Sequence, residues 1–522
     1  DAGGAARASR MAFFIFDPTL APEGARPSEE EMADAKIVYY SPSCAPAEEK
    51  RSQAGLIEGL ISFAKMFGGD KGPLKSLRTK QLAFSILEAE PNTWMVLVMR
   101  HPQAASTDSG GSAKGSNAAS GGSAGGAVQP GGPEMKYDEE ALADSTLEAV
   151  LRNCYGVFRL LHGEIQTFVK EQSMHKLLDL LEDFIPAYLE TVDAADLSIF
   201  QEIDGFHYGP VERNSCVSIH CFLDKLQEQF PSIRHAALMY NAHLIYTTLS
   251  LSDMRVLYSY LVSFNGSVHN HKLNRAPFGR IPTAASQPGG GSSSFGRAFL
   301  LTEEEDFLFG VSRRPGAAGG AGGSSSSGPS SVFVPAVYLT EGGSGQLVAL
   351  TYHGVMLVLI FEADAPLDAR LLDSVRTACT RPSGDGLSLA ELLPLIAPQH
   401  AQVMEKEDEF RFVYYNHTNH ALRLSNQPAT TRGLLGGGRP GSIGPKPGER
   451  ALLCPLHETL SDPRMKCREV SWKSADRGWI CAKRWREREF YLLLDGPSTS
   501  LSRCQEECAR FAAFHFSNIF MM

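Results

Sequence analysis

The chain has 522 residues, 43% hydrophobic and 21% charged, with 49 Lys and Arg against 59 Asp and Glu for a net charge of -10. That length predicts roughly two to four domains of about 100 to 200 residues each, and the acidic balance sets nucleic acid aside as the main partner, because neutralising phosphates requires a basic surface. The greasiest runs, WMVLVM and VMLVLIF, have the length of buried strands and fall short of the roughly 18 apolar residues that cross a bilayer.

The first ten residues lack the apolar core of a signal peptide, and MAFFIF stops at Asp17 and Pro18, so a cytoplasmic protein is expected. Ten cysteines without scaffold-like spacing read as reduced thiols, mostly in cores. The sequons at Asn265 and Asn416 are then chance matches.

A first block opens with strands FFIF and KIVYY, followed by a helix from about Glu48 to Phe67 with Leu56, Leu60, Phe63 and Phe67 on one face. Strands QLAFSILE and TWMVLVM come next. Two helices follow, about 138 to 161 and 164 to 191, striped by Leu147, Leu151, Cys154 and Phe158 and by Leu177, Leu181, Phe184 and Tyr188. A second block repeats the order. CFLDKLQEQF leads into strands RHAALMY and HLIYTTL across an Asn241-Ala242 turn, then a helix with Ser252 as its N-cap. Strands VFVPAVYLT, QLVALTYH and VMLVLIFEA and the helix LDARLLDSVRTACT close that block. The third block has the strands of EFRFVYYNHTNHALRLS, a helical segment near Cys454 to Leu460, a strand pair in GWICAKRWREREFYLLLD, and a final helix from about Ser500 to Phe514. Gly/Ser/Ala/Pro-rich stretches at about 104 to 133, 284 to 294, 315 to 331 and 427 to 449 are expected to be disordered insertions in loops. One α+β unit thus occurs three times.

Motifs for covalent chemistry are weak. No phosphate-cradling loop is present, and GGSAG at 121 to 125 fits the nucleophile-elbow spelling only inside a Gly/Ser tract. Cys216, His220 and Cys221 lie close enough on a helix for two of them to touch one ion, and Cys504 and Cys508 lie one turn apart, yet neither group has the four-ligand spacing of structural zinc. Two core cysteines beside a surface histidine is the reading of the first group, and packing that of the second. The histidines of VHNHK at 268 to 272 lack a nearby carboxylate cluster and read as loop residues. No cofactor, metal site or catalytic set is expected. One cluster stands apart, residues 464 to 488, rich in tryptophan and basic residues in an acidic chain. Lys483, Arg484, Arg486 and Arg488 with Trp485 face either anionic lipid headgroups, at about 1 kcal/mol per basic residue, or solvent along a sheet edge that positive charge protects from pairing.

FFIF, KIVYYSP, GLIEGLISFAKMF and EPNTWMVLVMRHP, followed by EFRFVYYNHTNHA, GWICAKRWREREFYLLL and FHFSNIF, resemble in order the vacuolar fusion CCZ family, from Phe13 to Phe520. The resemblance implies three longin domains, each a five-stranded antiparallel sheet flanked by helices, over 11 to 195, 196 to 403 and 404 to 522. It also implies a heterodimer with a MON-type longin subunit, acting as guanine nucleotide exchange factor for the late-endosomal and vacuolar Rab GTPase. A membrane rich in acidic and phosphoinositide lipids would recruit the pair peripherally. Exchange needs no covalent chemistry, only tighter binding of the nucleotide-free GTPase. A longin scaffold or tether without exchange activity is the alternative. Candidate partner and GTPase contacts are Leu56, Leu60, Phe63, Lys75, Arg78, Trp94 and Arg100. Trp94 is expected to be an exposed anchor, as tryptophan often is at hot spots, whereas Val96 and Val98 fill a sheet covered on both faces.

Overall fold

The computed structural model describes residues 11–22, 27–67, 73–100, 144–192, 205–209, 211–241, 243–261, 306–312, 331–382, 384, 387–407, 411–424, 447–462, 464–474, 478–494 and 500–519. The expected insertions at 104 to 133 and 284 to 294, the GGSAG and VHNHK stretches and the Asn265 sequon lie outside these residues. So do 315 to 331 and 427 to 449, except for their last residues, which begin a strand and a helix. Compactness divides the chain into two units, Asp1–Leu151 and Arg152–Met522.

The first unit runs β1 (Met11–Phe16), α1 (Glu29–Ala35), β2 (Ile37–Ser41), α2 (Ala47–Phe67), β3 (Ser76–Arg78), β4 (Leu82–Glu90) and β5 (Thr93–Arg100), then the first turns of α3 (Asp144–His162). Its sheet has five antiparallel strands in the order β2-β1-β5-β4-β3. β5 lies in the middle and is buried from Thr93 to Met99, which accounts for its unbroken apolar sequence. Phe14, Phe16, Phe84, Ile86, Trp94, Val96 and Val98 pack on Ala54, Ile57 and Ile61 of α2. Helix α1 was not foreseen. Ser28 and Glu31 form a capping box legible in the spelling Ser-x-x-Glu, but α1 has no buried residue and hence no apolar stripe to signal it. It is clipped to α2 by Arg51, 2.7 Å from both Glu30 and Asp34.

The second unit holds the rest of α3, then α4 (Ile165–Glu171), α5 (Met174–Thr191), β6 (Phe206–His207), α6 (Arg213–Gln229), β7 (Ile233–Tyr240), β8 (His243–Thr247), α7 (Leu251–Ser259), β9 (Asp306–Ser312), β10 (Ser331–Phe333), β11 (Ala336–Leu339), β12 (Gly343–Tyr352), β13 (Val355–Glu362), α8 (Ala369–Thr380) and α9 (Leu389–Glu407). It ends with β14 (Arg411–Asn416), β15 (Ala421–Leu424), α10 (Pro447–Ser461), β16 (Glu469–Ser474), β17 (Gly478–Trp485), β18 (Arg488–Leu494) and α11 (Leu501–Ile519). Gly163, at φ 80, closes α3 in the left-handed conformation that glycine adopts without a steric penalty. The single helix expected over 164 to 191 breaks at Ser173, which caps α5 by accepting from Lys176 N. The N-cap of α7 is Ser250 rather than Ser252, and VFVPAVYLT is split at Pro335, which has no N-H for the ladder. Helix α9 was also missed, because Pro394 and Pro398 lie inside it.

The fold class is the expected α+β, but the second and third sheets exceed five strands. The second has seven, β10-β9-β12-β13-β7-β8 with β11 on β12, and the third has six, β16-β17-β18-β14-β15-β6. One pairing is parallel: β6 lies along β15, with Phe206 opposite Ala421 and His207 opposite Leu422. Tyr208 then bridges Leu244, so one short segment adjoins both sheets. In the third sheet the period-two alternation is plain. Val413, Tyr415, Ile480, Ala482, Tyr491 and Leu493 face α10 through Leu453, Leu456 and Leu460. Phe412, Tyr414, Cys481, Phe490 and Leu492 face α11 through Cys504, Cys508 and Phe511.

Candidate partner and membrane surfaces

Helix α2 carries two apolar stripes, and they point opposite ways. Ala54, Ile57 and Ile61 enter the core. The stripe read from the sequence as one face is the outer one: Leu56 is 46% exposed, Phe63 60% and Phe67 70%, joined by Met66 at 78%, while Leu60 is half-buried. The Phe63 and Phe67 rings lie 4.6 Å apart between centroids. A contiguous exposed run of large apolar side chains on one helix marks an interaction surface more readily than isolated residues do.

Trp94 is not an exposed anchor. It is 1% exposed, stacked on Phe16 at 6.5 Å and roofed by Lys65, whose ammonium lies 5.3 Å from its ring. Its place at the start of β5 does not free it, because α2 covers that end of the sheet. Trp94→Ala is expected to cost the first unit about 3–5 kcal/mol, read as a lower urea midpoint. Of the other candidates, Lys75 pairs with Glu148 at 3.1 Å and Arg78 with Asp144 at 2.5 Å, so both fasten the start of α3 to β3. Arg100 is exposed at the end of β5. Helices α1 and α2, with Phe16, also line a cleft of about 250 Å³ whose rim carries Glu29, Lys36, Arg51 and Glu58.

The cysteine readings divide. Cys221 is exposed and Cys216 partly so, not core as expected, and His220 turns to Asp224 at 3.3 Å and to Tyr246 OH at 2.7 Å. Cys504 and Cys508 are buried as expected, beside Cys481. A hydrogen bond from Cys508 draws the Cys481 thiol below its usual range against the opposing effect of burial, with Ser471 and Cys504 adding. Among the described residues no group of three His, Cys, Asp or Glu has metal-holding geometry.

Two histidine clusters escaped the sequence reading, because their members come from distant elements. At the junction of the second and third sheets, His400 Nε2 lies 3.2 Å from His243 Nδ1, and the His207 and His243 rings are 5.9 Å apart. Burial, then the charge of Arg423, pushes His207 and His400 down to about 4. His243 falls well below its usual value through burial, then the charges of His207, His400 and Arg423.

The second cluster surrounds Glu489, which is fully buried. His457 Nδ1 lies 2.7 Å and His417 Nε2 3.0 Å from its carboxylate, Tyr491 OH donates at 2.9 Å, and Arg484 is 3.3 Å away. Burial works to raise this carboxyl, but the hydrogen bonds and charges of His417 and His457 win and hold it well below the usual range. Ser461 Oγ, 3.5 Å from His457 Nε2, extends the line to a Ser-His-Glu order. That serine sits at the C-terminal end of α10, where helix carbonyls present negative charge, the wrong sign for stabilising an oxyanion. The network ties β18 to α10 and to the β14-β15 turn.

It also divides the basic cluster. Arg484 serves Glu489, and Lys483 pairs with Glu469 at 3.2 Å, so neither projects freely toward a headgroup. Trp485, 55% exposed, and Arg486, exposed, stand at the hairpin tip, with Arg488 partly buried beside them. Among the described residues, no helix is long and apolar enough to cross a membrane.

Residues 11–163 match the family described as the first Longin domain of INTU, CCZ1 and HPS4. The chain is 25% identical to a vacuolar fusion protein CCZ1 homolog of Danio rerio, over 98% of this chain and 96% of the relative. It is 25% identical to that of Xenopus laevis over 98% and 97%, and 21% identical to that of Dictyostelium discoideum over 94% and 95%.

Proposed function

We propose that this chain, which resembles the vacuolar fusion CCZ family along nearly its whole length, acts in vacuolar fusion as one subunit of a two-chain guanine nucleotide exchange factor. Its partner would be a MON-type longin subunit, and its target the late-endosomal and vacuolar Rab GTPase. The outer stripe of α2 carries this reading. Leu56, Phe63, Met66 and Phe67 are the large exposed apolar residues of the first unit's long helix, and a second longin domain covering them would remove that surface from water.

The chain would contribute binding energy rather than reacting groups. A pair that holds the nucleotide-free GTPase more tightly than the loaded form weakens nucleotide binding by the same factor. Arg100 remains the exposed basic candidate for the GTPase, since Lys75 and Arg78 already serve α3.

The test is release of a fluorescent GDP analogue from the late-endosomal Rab, with the chain alone, with the co-purified MON-type partner, and with an early-endosomal Rab as control. Acceleration is expected from the pair alone and on the late-endosomal Rab alone. Phe63→Asp, at an exposed site that leaves the core intact, is expected to weaken capture of the partner at least tenfold, the effect of losing a hot spot worth about 2 kcal/mol. A pair that forms but leaves release at its intrinsic rate would favour the scaffold or tether.

A further inference from the structure

We propose that Ser471, on the outer strand of the third sheet, is a phosphorylation site for a basophilic serine kinase, and that Lys473 and Lys483 hold the phosphate. The local order is Lys466, Cys467, Arg468, Glu469, Val470, Ser471, Trp472. It places arginine three residues and lysine five residues before the serine, and a large apolar residue directly after it. Kinases select substrates by such charge patterns, because carboxylates lining the peptide cleft bind the basic side chains and set the hydroxyl against the γ-phosphate.

The fold leaves this segment within reach. β16 is an edge strand, and Lys466, Arg468, Ser471 and Trp472 are all exposed. From Glu469 to Lys473 no side chain is buried, and Val470 alone packs, partly, on the core, so lifting the strand into a cleft uncovers little apolar surface. Arg484 N donates to Arg468 O at 2.8 Å. The alternation of an antiparallel ladder then points the N-H and C=O of Ser471 away from β17. Lys466 sits at φ 48, where Gly or Asn is the less strained choice. A long basic side chain kept at such a position is the kind of departure that collects at functional sites.

The phosphate has a receptor in the same sheet. Ser471 lies opposite Cys481, and its neighbours on that face are Glu469 and Lys473 along the strand and Lys483 diagonally across. Lys483 is 3.2 Å from Glu469, and the Lys473 ammonium lies 5.3 Å from the Trp479 ring centroid. Both side chains are long enough to swing to a phosphate, whose charge of about -2 outcompetes the single charge of Glu469 for Lys483. Transfer breaks the bond between the γ-phosphorus of ATP and its bridging oxygen and forms one from that phosphorus to Ser471 Oγ. ADP leaves, and the hydroxyl proton passes to the aspartate of the kinase. The modified residue then ties β16 to β17 across the edge of the sheet.

The inference stands apart from the exchange reading and is tested on the full chain without a GTPase or a partner. The chain is incubated with protein kinase B, which reads basic residues five and three before the serine, and Mg-ATP, and the phosphate is located by mass spectrometry. Label is expected on Ser471, absent in Ser471→Ala, and reduced roughly tenfold in Arg468→Gln, whose backbone keeps its place in the ladder. Arg439 and Arg280 stand three residues before Ser442 and Thr283, with no basic residue five before. Label confined to those two sites, an unlabelled chain, or equal labelling of Arg468→Gln would overturn the assignment. The receptor is read separately by phosphorus NMR of the modified chain. The second ionisation of phosphoserine, ordinarily at about 6, should move to lower pH and return toward its ordinary value in Lys473→Gln with Lys483→Gln. A titration that this double variant leaves unchanged would remove the two lysines as its holders.

Discussion

Glu489→Ala is expected to destabilise the second unit by about 3–5 kcal/mol, the usual cost of removing one partner from a buried charge network. The substitution leaves the Arg484 guanidinium, His417, His457 and the Tyr491 hydroxyl around a space that held their common acceptor. Three elements loosen together: β18, α10 and the β14-β15 turn. Glu489→Gln keeps the shape and loses the charge, so it should cost less. The pH dependence has a definite sign. The folded carboxyl lies below its usual value of 4.5, so its contribution is complete above that value and is lost as pH falls through the folded pKa. Urea midpoints of wild type and Glu489→Gln should therefore converge as pH is lowered below about 4.5. A gap that stays constant with pH would mean the carboxylate adds nothing as a charge.

Acid should strike the second unit earlier still, at the junction of its two sheets. His207 and His400 titrate near 4 in the fold against a usual 6.5. The unfolded chain therefore takes up their protons first, and stability drops between pH 6.5 and about 4. A shift of that size corresponds to roughly 3 kcal/mol for each histidine, and His243 moves in the same direction. Because the three rings share one site beside Arg423, the losses will not simply add. His400→Gln should flatten the decline in thermal midpoint over this range, whereas a replacement at exposed His175 should leave the slope intact. An unchanged slope in His400→Gln would show that the junction does not govern acid lability.

Much of the fold was legible because it is written in periodicity. β5 and β13 are continuous apolar runs because their side chains are buried on both sides of the strand, and the strands facing α10 and α11 alternate as an ordinary strand should. What failed was direction. Leu56, Phe63 and Phe67 do form a stripe, but α2 has two, and the inner one is built from the less conspicuous Ala54, Ile57 and Ile61. Trp94 looked like an anchor because tryptophan at a strand end often is one, and nothing local reveals that α2 lies over it. The basic cluster was visible as composition. Its division was not, because only the register of β17 on β18 sets Arg484 opposite Glu489. The histidine junction is assembled from residues 207, 243 and 400, on three separate elements, and leaves no sequence signature at all.

The parallel pairing of β6 with β15 has a consequence for the order of events as the chain leaves the ribosome. Phe206 and its partner Ala421 are separated by more than two hundred residues. At about 5–20 residues per second, synthesis of the intervening chain takes roughly ten to forty seconds. During that interval β6 has no third sheet to join, but Tyr208 can already bridge Leu244, so the edge of the second sheet holds the segment in place. The third sheet would then close onto a strand docked before most of its own residues existed, and a chain released before β15 would leave that edge open for another chain to pair with.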